Sequence, residues 1–155
     1  MKLIELYPAG ERVVTGTKEF TAESIIRFAR KFDPQPFHTD AEAAKAYVFG
    51  ALCASGWHTC AEWMRCFVDF WRAEVPRLLA EGKQPPKLGP SPGFTELQWL
   101  KPVFAGDVVS YSITSVESRP LASRPGLILN TGLGEGMNQN GEPVLRFRTR
   151  LLEFE

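Results

Sequence analysis

From Gly56 to about Leu79 the apolar residues recur at helical spacing, with Trp57, Cys60, Met64, Phe67, Val68 and Trp71 forming one wide stripe. Three of the chain's four tryptophans fall on this segment. A helix with so broad an apolar surface has to be covered on most sides. Its Trp and Phe stripe is therefore expected to be core. Pro76 is expected to kink this helix or to end its first part.

The covering material follows in the sequence. After a loop over 81–93 rich in Pro and Gly, four segments read as strands: Phe94–Leu100, Asp107–Glu117, Gly126–Gly134 and Pro143–Phe154. In the last, Leu145, Phe147, Thr149 and Leu151 share one face. Arg146, Arg148 and Arg150 occupy the other, the pattern of an antiparallel strand wetted on one side. Asn140-Gly141 is a hairpin turn signal. Helices gathered in one half and strands in the other predict an α+β fold, an antiparallel β-sheet wrapped around a long central α-helix. A chain of 155 residues suits a single domain over 1–155, large enough to bury roughly 70% of its unfolded surface.

Ahead of the long helix, Arg12–Phe20 reads as a strand. Thr21 caps an amphipathic helix over Ala22–Lys31, with Ile25, Ile26, Ala29 and Phe32 on its apolar face. Asp40 is expected to cap a short helix over Ala41–Tyr47. Gly50 and Gly56 point to close packing or unusual dihedrals.

Charge narrows the functional classes. Lys plus Arg and Asp plus Glu both number 18, so nothing in the overall balance recruits nucleic acid or an anionic membrane. No apolar run approaches membrane-spanning length and no signal core follows Lys2, so the expected location is cytoplasmic. Cys53, Cys60 and Cys66 lack zinc-type pairing and read as small apolar residues of a reducing compartment. No metal site is expected.

The chemistry is concentrated in Phe32-Asp33-Pro34-Gln35-Pro36-Phe37-His38-Thr39-Asp40, which holds one of the chain's two histidines. In a plain strand the odd separation of Asp33 and His38 would send them to opposite faces. Pro34 and Pro36 forbid a continuing helix and impose a stiff turn, which can aim both side chains at one point. Taken alone, the residues leave two readings open. Asp33 is either a turn former after a helix or a catalytic carboxylate. His38 is either a buried histidine satisfied by a backbone carbonyl or an acid–base group.

Three elements together resemble the MaoC-like dehydratases, the hot-dog family that includes (R)-specific enoyl-CoA hydratases. They are Asp33-x-x-Pro36-x-His38-x-Asp40, then Ala54-Ser55-Gly56 where the central helix begins, then Leu100-Lys101-Pro102-Val103-Phe104-Ala105-Gly106-Asp107. The chain departs from many relatives in carrying Gln35 where they have Asn, and Ser55 where they have His. The resemblance implies a single hot-dog domain and interconversion of a trans-2-enoyl-CoA with an (R)-3-hydroxyacyl-CoA. It implies Asp33 and His38 as the catalytic pair on one water, and the Gly56 backbone amide as the oxyanion donor. Coenzyme A would enter only as part of the acyl-CoA substrate, with no other cofactor. A homodimer or higher homo-oligomer is expected, with no nucleic acid or membrane partner.

Elementary chemistry agrees with those roles. A neutral imidazole can accept a proton near pH 7, and an ionised carboxylate can accept one or orient a water. Gly56 opens the long helix, where free N–H groups and the helix dipole favour negative charge. Ser55 and Gln35 are possible pocket residues. Asp40 is read as a cap, and His58 as structural because nothing in sequence pairs it with a carboxylate. Glu62 is the rival, since some hot-dog thioesterases use a helical carboxylate. The alternatives are therefore a hot-dog acyl-CoA thioesterase or a non-catalytic acyl-CoA-binding module. Lys83, Lys87, Lys101 and Arg124 are candidate partners for the coenzyme's phosphates, and the loop over 81–93 is a candidate wall of the acyl pocket.

Overall fold

A computed structural model of the chain describes residues 1–155. The order is α1 (Leu3–Leu6), β1 (Arg12–Glu19), α2 (Ala22–Phe32), α3 (Pro36–Thr39), α4 (Ala41–Ala44), α5 (Gly56–Ala80), β2 (Lys87–Leu88), β3 (Phe94–Trp99), β4 (Val108–Pro120), β5 (Leu127–Met137) and β6 (Pro143–Phe154). The strands form one six-stranded antiparallel sheet ordered β1-β4-β5-β6-β2, with β3 also paired to β6. The sheet curls around α5 as a half-barrel.

The local signals act where the sequence places them. The Thr21 hydroxyl accepts the Ser24 N–H at 3.1 Å and starts α2. Asp40 accepts from both Glu42 and Ala43 and starts α4, which ends at Ala44 rather than Tyr47. Gly141, at φ +73°, turns the chain between β5 and β6. Gly50 needs its left-handed φ of +68°, whereas Gly56 serves close packing.

Trp63 fixes α5 to the sheet. It is 4% exposed, its indole N–H donates to Ser112 O at 3.0 Å, and Phe147 meets its ring edge-on at 4.8 Å. Phe147 in turn needs Gly134 on β5, because a Cβ there would stand 2.7 Å from its ring. Tyr111 of β4 is fully buried and donates to Thr59 O at 2.8 Å, a second tie between sheet and helix.

Several expectations are corrected. The α5 stripe is not the core: Trp57 is 52% exposed, Met64 and Val68 are also exposed, and Cys60, Phe67 and Trp71 are half-buried, while the buried residues are Trp63 and Cys66 beside it. The sheet covers one side of the helix and stops at the open edge of β3, so the residues beyond that edge lie bare. Pro76 does not end α5, which continues to Ala80. Phe32 is exposed and leans on Phe28 instead of entering the core. The loop over 81–93 contains the two-residue strand β2, paired with the last residues of β6. The segment before β1 holds the short helix α1, fastened by a buried carboxylate: Glu153 accepts from Leu3 N–H at 3.0 Å and Asn130 Nδ2 at 2.8 Å.

Candidate active site

The site begins where α2 ends. Asp33 is the C-cap of α2, its N–H bonded to Ala29 O at 2.8 Å, and Pro34 prevents another turn. Gln35 is extended, at φ −89° and ψ 146°. Pro36 then takes the first position of α3, where the missing N–H costs nothing. The expected stiff turn thus contains one turn of helix, and that turn carries His38 back over Asp33. His38 Nε2 and Asp33 Oδ2 stand 3.3 Å apart, with the imidazole almost fully buried.

A hydrogen bond sets which nitrogen of the neutral His38 ring carries the proton. His38 Nδ1 lies 2.6 Å from Cys53 O, and a carbonyl can only accept, so Nδ1 carries the proton. In the neutral ring the lone pair is then on Nε2 and faces Asp33. Two acceptors facing each other are satisfied by a water donating to both. His38 is thus a buried histidine satisfied by a backbone carbonyl through Nδ1, while its Nε2 faces the carboxylate. Gln35 Nε2 donates to Asp33 Oδ1 at 2.6 Å and fixes the carboxylate plane. Burial works to raise the Asp33 pKa, but Gln35, Ser55 and the neighbouring His38 together outweigh it and hold the carboxyl below its ordinary 3.8.

Ser55 occupies the N-cap position of α5 and is fully buried. Its hydroxyl caps nothing and has no partner at ordinary hydrogen-bond geometry, yet it lies close enough to Asp33 to favour the ionised form. Gly56 follows as the first residue of α5, and its N–H has no acceptor within the protein. A Cβ on Gly56 would stand 2.3 Å from the Trp99 ring. The missing side chain therefore leaves room for an indole, which is the partner in the close packing expected at this glycine.

His38 and Gly56 border a cleft of about 340 Å³, lined also by Cys53, Trp99, Lys101 and Val144 among others. Asp33, Gln35 and Ser55 are not part of its wall. Burial and the Asp33 charge push the Cys53 thiol pKa up, which keeps it protonated beside His38. Of the four cations considered, Lys101 reaches the cleft, where it pairs with Glu142. Lys83 is bonded to Glu81 at 2.8 Å, and Lys87 and Arg124 lie off the wall. No residue of the loop over 81–93 lines the cleft, so it does not shape this pocket.

The expectation that His58 has no carboxylate is corrected. One turn along α5, Glu62 Oε1 stands 3.6 Å from its Nε2, with Lys18 beyond at 3.7 Å from Glu62. The i,i+4 spacing of His58 and Glu62 is the signal that identifies this pair. His58, with Lys18 nearby, holds the Glu62 pKa down. His58 itself is buried against Phe20 and stacked on Phe28 at 4.5 Å. Neither His58 nor Glu62 lines the cleft.

A long helix held in a curled antiparallel sheet, with a carboxylate–imidazole turn beside the helix start, defines a hot-dog protein of the dehydratase type. The chain belongs to the MaoC-like dehydratase family, whose MaoC like domain model matches residues 7–128. A MaoC-like dehydratase from Rhodospirillum rubrum is 34% identical, with a TM-score of 0.81 over 100% of this chain and 97% of that one. The Bacillus subtilis protein YdeM is 25% identical over 128 residues, 83% of this chain and 82% of its own. The R-hydratase PhaJ1 from Pseudomonas aeruginosa, at 20% identity and a TM-score of 0.63 over 95% of this chain and 82% of that one, shares the fold. No helix is long and apolar enough to cross a membrane.

Proposed function

We propose that the chain is an acyl-CoA hydratase/dehydratase, a hydro-lyase interconverting a trans-2-enoyl-CoA and an (R)-3-hydroxyacyl-CoA. The observation that carries the reading is the Asp33–His38 pair, 3.3 Å apart, next to a cleft bordered by the unpaired Gly56 N–H. In the hydration direction a water held by His38 Nε2 and Asp33 Oδ2 adds its oxygen to C3 and gives up one proton to the pair. The electrons of the C2–C3 double bond move toward the thioester, whose oxygen becomes enolate-like. Gly56 N–H donates to that oxygen, and one such backbone donor is worth roughly 3 kcal/mol in the transition state. The pair then returns a proton to C2, so the site ends as it began. Proton transfer of this kind uses no metal or redox cofactor. Lys101 at the cleft is the cation placed to meet a coenzyme phosphate. The R configuration rests on the family resemblance.

Decay of enoyl absorbance with crotonyl-CoA, followed by chiral analysis of the 3-hydroxy product, tests this directly. Release of free thiol without hydration would make the protein a thioesterase. Tight acyl-CoA binding with no turnover would make it a binding module. Glu62, engaged by His58 and Lys18 away from the cleft, gives the thioesterase reading no support.

We also infer a homodimer. β3 is an edge strand on which every residue but the half-buried Leu97 is exposed, including Phe94 at 52%. Bare apolar edges of this kind pair with another chain or aggregate. Light scattering is expected to return twice the chain mass, and a stable monomer would overturn the inference.

A further inference from the structure

Past Gly56 the cleft meets a wall, and the wall is Trp99. Its ring atoms fall 2.3 to 2.6 Å from the point where a Gly56 Cβ would stand. It crosses Trp57 edge-on, with centroids 5.1 Å apart at 82°, and lies beside Cys60. A β-bulge at Glu96, which takes a left-handed φ of +56°, re-aims the strand just before it.

A second hollow of about 130 Å³, lined wholly by apolar side chains, opens against Trp57 and Cys60, the two residues the indole touches, with Trp63, Leu97 and Phe147 also in its wall. The two spaces are separate but lie along the same elements, α5, β3 and β6. Gly56 and Thr59 of α5 face the cleft, while Cys60 and Trp63 face the hollow. Val144 of β6 lines the cleft, and Phe147, further along the same strand, lines the hollow. Trp99 lines the cleft and not the hollow, but it touches Trp57 and Cys60, which line the hollow.

We propose that Trp99 sets the length of the acyl chain, confining the cleft to short-chain thioesters of about four carbons, and that the apolar hollow is the path a longer chain takes once the indole is removed. The proposal rests on the reading of the cleft as an acyl-thioester site. A thioester oxygen at the Gly56 N–H puts the acyl carbonyl at the start of α5. From that point the indole leads to Trp57 and Cys60, and the hollow they border presents no polar side chain to an alkyl chain. The cleft must also admit the thioester end of the coenzyme, so only part of its 340 Å³ is left for the acyl carbons in front of the indole.

The test is equilibrium binding of butyryl-, hexanoyl- and octanoyl-CoA to the full chain by calorimetry. These ligands are saturated, so the result does not depend on hydration. The native protein is expected to bind all three equally or to prefer butyryl-CoA. Each fully buried methylene strengthens binding roughly fourfold. At half that gain, Trp99→Leu is expected to bind octanoyl-CoA on the order of tenfold more tightly than butyryl-CoA. Leucine keeps an apolar side chain on β3 and guards against loss of the fold. Trp99→Phe should behave like the native protein, and Cys60→Phe added to Trp99→Leu should abolish the gain by refilling the hollow. Three results would overturn the proposal. The native protein could already tighten with chain length. Trp99→Leu could show no gain, as when a second copy fills the hollow. No acyl-CoA could bind at all. Loss of hydration with the Trp99→Leu gain intact would overturn the reaction and leave the wall standing.

Discussion

Asp33→Asn is expected to lower kcat/KM for crotonyl-CoA hydration by about 10²–10⁴-fold, the contribution of a positioned acid–base group. The geometry makes this substitution informative. The Asn carbonyl oxygen can still accept from Gln35, which now bonds Asp33 Oδ1 at 2.6 Å. Its amide nitrogen then faces His38 Nε2, 3.3 Å away in the native site, and donates to the lone pair the reaction needs. The fold should survive, as far-ultraviolet circular dichroism would show. His38→Ala is expected to cost as much activity but also stability, because it leaves the buried Cys53 carbonyl without its 2.6 Å partner. Measurable hydration at native rates in either variant would overturn the assignment. The pH dependence has a defined sign. Because the folded pKa of Asp33 is lowered, its ionised form adds stability above the unfolded carboxylate value, and that stability is lost as pH falls through the folded value. Asp33→Asn should therefore flatten stability against pH only on the acid side, read from thermal melts between pH 3 and pH 7.

The elements were legible where one signal dominated. Period-two alternation in Leu145–Leu151 and the Asn140-Gly141 turn place β6 and its hairpin almost to the residue. The helix from Gly56 was legible from its stripe, but the stripe says only that Trp57 and Met64 are apolar. Which side the sheet covers depends on where β3 stops, and that is a tertiary fact. The convergence of Asp33 and His38 followed from two prolines, since rigid φ values restrict a turn more than any propensity does. The His58–Glu62 contact was also within reach, because helical spacing alone brings those residues together. What no local pattern contains is the meeting of Trp99 with Gly56. These residues lie on different elements, and only the β3–β6 register and the bulge before it bring the indole over the helix start.

That meeting makes Gly56→Ala the second substitution with a large expected effect. The new methyl would sit 2.3 Å from the Trp99 ring, well inside contact distance, so the indole or the start of α5 must move. Overpacking of this kind costs about 1–3 kcal/mol. For a domain of this size that is a fall of roughly 2–4 °C in Tm for each kcal/mol, read by calorimetry. Hydration should fall about 10²-fold if the shift moves the Gly56 N–H by an ångström, since misplacement on that scale is enough. The double variant Gly56→Ala with Trp99→Leu separates the two roles of the residue. It removes the clash while alanine keeps the backbone N–H, so both Tm and hydration of crotonyl-CoA should recover most of their loss. Recovery of Tm without recovery of rate would mean that the methyl itself obstructs the thioester oxygen, and that Gly56 is needed for substrate approach as well as for the indole. Recovery of neither would mean that the methyl is resisted by α5 itself rather than by Trp99.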